Sequence, residues 1–180
     1  MGSGYRNNLA KQIAEHLVCA ELGRRDFVAT PFSGNVPIFD VLVADASGHA
    51  LPIQVKASRS TKWPSNALDW MDIEVDLQTG VQKYLGRKSL STPTLVYVCV
   101  ALAPLNSTNL DRFFILTMAN LQDCCVRHYK TWMEQHGYIR PRRFDSFDLR
   151  YEAKDIEEFE DNWDLISQYL RQEPGAVPQE

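Results

Sequence analysis

Residues Phe39 to Ser58, FDVLVADASGHALPIQVKAS, constrain the fold of this chain more than any other stretch. Two β-prone runs flank Asp45-Ala46-Ser47-Gly48, a turn that suits a β-hairpin with Gly48 in a left-handed position. Centring the hairpin on Ser47 sets Asp40 opposite Gln54, since both lie equally far from it. A slip of one residue would turn every side chain to the other face, so the register matters. Period-2 alternation then puts Gln54 and Lys56 on one strand face, with Ile53 and Val55 on the other. An acid, an amide and an ammonium set among apolar residues are costly to bury unless they meet one another or a metal. That cost is the reason to look for a site here.

Elements on either side follow from periodicity. Residues 5–25 carry Leu9, Ile13, Leu17 and Val18, with Ala10 and Ala14, at helical spacing, and Glu15 lies at the edge of that face. Phe27 to Pro31 is expected as a short strand, and Val36 to Ala44 and Leu51 to Lys56 as the hairpin arms. Residues 57–67 are polar and loop-like. Met71, Ile73 and Val75 alternate with Asp72, Glu74 and Asp76, giving a strand with a solvated acidic face. Gln78 to Ser91 is ambiguous and favours a short helix broken at Gly86. Thr94 to Leu102, TLVYVCVAL, is the strongest buried-strand run, followed by a strand at Arg112 to Thr117. A helix over 119–136 ends at Gly137, a basic irregular segment covers Ile139 to Ser146, and a last helix spans 155–170. The last helix has Ile156, Phe159, Trp163, Ile166 and Leu170 on one stripe and acidic residues elsewhere. One domain over 1–180 is expected, with its core at about 5–135 and the basic loop and acidic helix at 138–170.

Charge is unevenly spread. The chain has a net charge of −4, yet residues 1–143 hold 16 basic against 12 acidic side chains, and residues 144–180 hold 3 against 11. Arg59 and Lys62, and Arg140, Arg142 and Arg143, form basic clusters suited to a phosphate backbone. Trp63 and Trp70 lie near the first cluster, where they can either stack on bases or pack in the core; core packing is the more common role. Cys19, Cys99, Cys124 and Cys125 show no metal-binding spacing and are expected as reduced core thiols. No apolar run approaches the ~20 residues that span a bilayer, and no secretory segment is visible, so a cytoplasmic location is expected.

Helix with Glu15, strand, strand with Asp40, turn, strand with Gln54-x-Lys56: this order resembles the PD-(D/E)xK nuclease superfamily. The likeness is greatest to its small Holliday-junction-resolvase-like and restriction-endonuclease-like members. Specific residues carry it over roughly 5–60: Glu15 in AEHLVCAEL, Leu22, Phe27, Asp40 in IFDVLV, and Gln54 and Lys56 in IQVKAS. The resemblance implies an α/β fold (α+β in its segregation), a restriction-endonuclease-like αβββαβ core with a mixed central sheet flanked by helices, plus a C-terminal helix. It implies DNA hydrolysis with Mg²⁺ or Mn²⁺. Asp40, Gln54 and the Val55 carbonyl would be the metal ligands, Lys56 the catalytic lysine and Glu15 an accessory acid. DNA is the expected partner, no membrane is involved, and a homodimer is compatible with two-strand cleavage. Two positions depart from the family pattern: Gln54 stands where an acid is usual, and Asp26 where a helix-ending Gly is common. Gln54 and the acidic C-terminal helix keep a second class open, an inactive domain of the same fold that binds nucleic acid or a protein partner.

Overall fold

The computed structural model describes residues 3–32 and 38–171. The chain is a mixed α/β fold built on a five-stranded sheet. Its elements are α1 (Ser3–Gly23), β1 (Val28–Pro31), β2 (Val41–Ala44), β3 (Ala50–Ser58), β4 (Lys62–Asn66), β5 (Met71–Val75), β6 (Gln82–Arg87), β7 (Val96–Ala101), β8 (Arg112–Thr117), α2 (Met118–Gln135), β9 (Asp148–Glu152) and α3 (Asp164–Arg171). The main sheet runs β1-β2-β3-β7-β8, with β4-β9 and β5-β6 as separate two-stranded ribbons. Within the main sheet β3 and β7 pair in parallel, and the other described neighbours pair antiparallel. The chain passes from β3 to β7 through β4, β5 and β6 rather than through a helix, and α2 follows β8.

The two faces of the sheet bury separate cores. Ala10, Ala14, Val18 and Leu22 of α1 and Ile166 and Leu170 of α3 cover one face, against Val41, Val43, Ile53, Val55, Val96, Val98 and Val100. The other face carries Tyr97, Cys99, Phe114 and Leu116 under Leu121, Cys125, Tyr129 and Met133 of α2 and the β4-β9 ribbon. All six residues of β7 are buried, as its unbroken apolar run requires of a strand covered on both sides.

Several expectations change at the level of elements. The inward stripe of α1 is Ala10-Ala14-Val18-Leu22, while Leu9 and Ile13 face outward at 36% and 43% exposure. Small side chains let the helix lie close to the sheet, and the larger aliphatics are left on its outer side. Gly23 ends the helix, and Asp26 takes the left-handed conformation, φ +63°, that leads into β1. The expected loop at 57–67 is instead the end of β3 and all of β4, and Gln78 to Ser91 holds β6, not a helix. β9 lies beside the basic segment and was not anticipated. The expected helix at 155–170 is two 3-10 turns, at Ala153–Asp155 and Glu157–Phe159, followed by the eight-residue α3. The expected acidic face of one long helix is therefore not formed among the described residues; Glu160 binds Arg112 through two hydrogen bonds of 2.6 Å, and Glu158 lies 3.8 Å from Arg127. Ser33-Gly34-Asn35, a turn signal in the sequence, and Val36, where the second strand is expected to start, lie outside the described residues.

Candidate active site

The hairpin forms in the expected frame. Val41 pairs with Ile53 and Ala44 with Ala50, which continues to Asp40 opposite Gln54. The turn is tied by Asp45, whose Oδ1 accepts from the Ser47 and His49 N–H groups at 2.9 and 3.0 Å, and Gly48 takes φ +86°. Asp40 sits one residue before β2, where the chain bends and the ladder shifts: its N–H donates to the Ile53 carbonyl at 2.9 Å.

That bend leaves the Val55 N–H without a backbone partner on β2, and the Asp40 carboxylate takes its place. Oδ2 of Asp40 accepts from the Val55 N–H at 2.9 Å and from the Gln54 side-chain amide. Oδ1 lies 2.9 Å from Nζ of Lys11, and the same ammonium lies 3.7 Å from Glu15. Asp40 is buried, at 8% exposure. Lys11 and Glu15 stand one turn apart on α1, so one ammonium bridges acids from two elements. Burial pushes the Glu15 carboxyl above its ordinary range, and the nearby Asp40 charge pushes it further. The Lys11 ammonium is held above its ordinary value chiefly by its hydrogen bond to Asp40.

The sequence-derived set is thus partly gathered. Asp40, Gln54 and the Val55 backbone meet directly, and Glu15 joins through Lys11. Lys56 is exposed on the Gln54 side of β3, with Nζ 5.9 Å from the centre of the Tyr97 ring, and makes no hydrogen bond or ion pair with Asp40. Lys11 was missed. Its only trace in the sequence is the Lys11–Glu15 spacing, which ordinarily marks a solvated surface pair.

The residues proposed for nucleic acid are dispersed. Arg59 is exposed just after β3, and Lys62 is paired with Glu152 at 2.6 Å. Arg143 is paired with Asp145 at 3.2 Å, Arg142 is exposed, and Arg140 is half-buried against Trp132. Trp63 and Trp70 are core residues: Trp63 stacks on Tyr151 and donates from Nε1 to the Lys56 carbonyl at 2.9 Å. Cys99, Cys124 and Cys125 are buried free thiols and Cys19 is half-buried, as expected. His128, on the same helix as Cys124 and Cys125, is half-buried and lies 2.9 Å from Asp155.

The donor set fits a hard cation. The Lys11 ammonium already stands between an Asp40 and a Glu15 oxygen, 2.9 and 3.7 Å away. In a strand the N–H and C=O of one residue project to the same side, so the Val55 carbonyl opens toward Asp40 as its N–H does. Gln54 presents its NH₂ to Asp40; turning the amide over presents its oxygen. Among the described residues no three His, Cys, Asp or Glu side chains form a metal-binding group. Nor is any helix among them long and apolar enough to cross a membrane.

Compared with known proteins, the chain matches no family model and no curated protein. Among solved structures it is similar to a bacterial homing endonuclease, I-Ssp6803I, with 12% identity, a TM-score of 0.49, and 93% of this chain and 95% of that chain covered. The functional reading therefore rests on the chain's own residues.

Proposed function

We propose that this chain is a metal-dependent DNA endonuclease of the PD-(D/E)xK type, with Asp40, Gln54, Lys56 and Glu15 as its working residues. The observation that supports it most is that the Gln54 amide and the Val55 N–H meet on the Asp40 carboxylate, which the Lys11 ammonium links to Glu15. Asp40, the Gln54 amide oxygen and the Val55 carbonyl would hold Mg²⁺ or Mn²⁺. Such an ion supplies Lewis-acid activation of a phosphodiester and lowers the pKa of a bound water. Lys56, on the exposed strand face beside Gln54, would orient the attacking water and offset charge on the phosphate oxygens. Glu15, with its proton affinity raised by burial and by Asp40, would take or hold a proton next to that water. Arg59, Lys62 and Arg140 to Arg143 would bind the DNA backbone. A homodimer would bring two such sites to the two strands, and the outward Leu9 and Ile13 of α1 are a surface open to it.

One observation favours the second reading, a non-catalytic domain of the same fold. Both Asp40 oxygens already have protein donors, and Gln54 brings no charge to a metal. Cleavage of supercoiled plasmid and of branched DNA, with Mg²⁺ or Mn²⁺ and with chelator, decides between them. The nuclease reading expects metal-dependent nicking that is lost in both Asp40→Ala and Lys56→Ala. Folded protein that binds DNA but never cuts it, with either metal, leaves the binding-domain reading standing.

A further inference from the structure

A second constellation of charge lies away from Asp40. Between α2 and β9 a cleft of about 820 Å³ is lined by Arg127, Trp132, Arg140, Arg142, Arg150 and Lys154. Arg140 is its most unusual member. The guanidinium is half-buried, with Cζ 4.8 Å from the Trp132 ring centre and 6.0 Å from that of Tyr129. It makes no hydrogen bond or ion pair among the described residues, and its Nε is buried with no partner. Burial depresses its proton affinity, as expected of a cation drawn out of water without a counter-ion. Arg142 and Arg150, both exposed, have no carboxylate within ion-pair distance among the described residues either.

The acids of the cleft do not cancel this charge. Glu152 is taken by Lys62 at 2.6 Å and Lys154 at 3.5 Å, and Asp155 lies 2.9 Å from His128. Asp148 then remains in the lining beside Arg140, Arg142 and Arg150, with no ion pair to any of them among the described residues. A desolvated cation without a partner is costly unless a ligand supplies the missing anion. Guanidinium forks suit the paired oxygens of a phosphate, and several forks along an open cleft suit a chain of phosphates. The aromatic surface is already engaged: Trp132 stacks on His136, with centroids 3.9 Å apart, and also receives Arg140. Little ring surface remains for a base, so recognition here would be of backbone rather than sequence.

We infer that the cleft between α2 and β9 is a phosphate-backbone binding site for nucleic acid, centred on the unpaired Arg140 with Arg142 and Arg150. The choice of polymer rests on the DNA-directed reading above. Fluorescence anisotropy with a labelled DNA duplex, in chelator so that no cleavage occurs, tests it. Arg142→Gln/Arg150→Gln is the main variant, because both side chains are exposed and their loss leaves the core intact. Arg24→Gln/Lys83→Gln removes the same charge elsewhere. The expected result is roughly tenfold weaker binding for the main variant, and a fall of about two in the slope of log affinity against log salt. The control pair should change both by much less. Equal losses in the two variants would show a net-charge effect and overturn the site, as would an unchanged slope in the main variant. Millimolar inorganic phosphate serves as the other arm. If phosphate raises the melting temperature of the wild type but not of the main variant, while duplex binding ignores the substitutions, the ligand is a small phosphate and the nucleic-acid assignment falls. Wild-type protein that cuts DNA with Mg²⁺ yet ignores the substitutions overturns the cleft alone. Protein that binds through the cleft and never cuts overturns the nuclease reading alone.

Discussion

At the scale of single residues, Lys11 sets the electrostatics of the candidate site. Its ammonium is half-exposed, but it touches the buried Asp40 at 2.9 Å and lies 3.7 Å from Glu15. Lys11→Met would leave two carboxylates facing each other. The folded state should lose about 1 kcal/mol, a charge-assisted hydrogen bond discounted for solvent exposure. For a chain of this size that is a fall of roughly 2–4 °C in Tm. Mg²⁺ should then raise the Tm of the variant more than that of the wild type, because the ion no longer competes with the ammonium. Melting curves with and without Mg²⁺ check this; equal shifts in both proteins would mean that Lys11 is not in the cation's place. Asp40 and Gln54 were legible in the sequence because a short, well-marked turn fixes hairpin register. Lys11 was not, because what makes it special is a third group, Asp40, brought from 29 positions away by helix-to-sheet packing. Arg140 was legible as a charge but not as an unpaired, half-buried one, since burial by Trp132 is a tertiary fact.

At the scale of elements, the C-terminal segment is the instructive case. Its stripe of Ile156, Phe159, Trp163, Ile166 and Leu170 has helical spacing, yet the chain does not form one helix there. Ile156 and Phe159 pack in the core under α2, whereas Trp163, Ile166 and Leu170 pack in the core under α1. A straight helix cannot serve opposite faces of one sheet. The segment instead crosses the sheet edge at β8, where Glu160 bridges to Phe114, the Asp161 N–H donates to the Phe113 carbonyl at 2.8 Å, and Asp161 takes φ +51°. This crossing also covers an edge strand that would otherwise be open to pairing. Periodicity records which residues are apolar, not which of two cores will receive them. β4 was hidden for a different reason: Pro64 argues against a strand unless it lies at an edge, which is where β4 pairs only with β9. β6 was hidden by Gly86, which reads as a helix breaker but lies where the register with β5 shifts.

The crossing carries a pH-dependent contact. The hydrogen bonds from Arg112 hold the Glu160 carboxyl below its ordinary range. A carboxyl lowered in the folded state stabilises above its unfolded pKa, and that contribution is lost as pH falls through the lowered value. Glu160→Gln should therefore cost about 0.5–1 kcal/mol at neutral pH, after allowance for solvent screening. The difference from wild type should close at pH values well below the ordinary glutamate pKa of about 4.3. Tm measured against pH for both proteins checks the sign; a gap that persists unchanged in acid would assign the effect to packing rather than charge.

At the scale of the whole molecule, the sheet itself joins the two cores. β7 sends Val96, Val98 and Val100 to the face under α1 and Tyr97, Cys99 and Ala101 to the face under α2. Losing either layer would expose half the side chains of a strand that is buried throughout. At about 25 cal/mol per Å² of apolar surface, one newly wetted sheet face is comparable to the whole stability of a small domain. Neither core should outlast the other, so the chain should unfold as one domain. The tryptophans are placed to test this: Trp163 lies in the core under α1, whereas Trp63 and Trp70 lie in the core under α2 and Trp132 packs against it. Leu22→Ala and Leu121→Ala truncate one buried leucine in each core. Each should lower stability by about 2–5 kcal/mol. In each case fluorescence from the wild-type set and from a Trp163→Phe background should report one shared denaturation midpoint. If Leu22→Ala moved the midpoint only while Trp163 was present, leaving the signal of Trp63, Trp70 and Trp132 where it was, the layers would be separate folding units. The shared role of β7 would then be wrong.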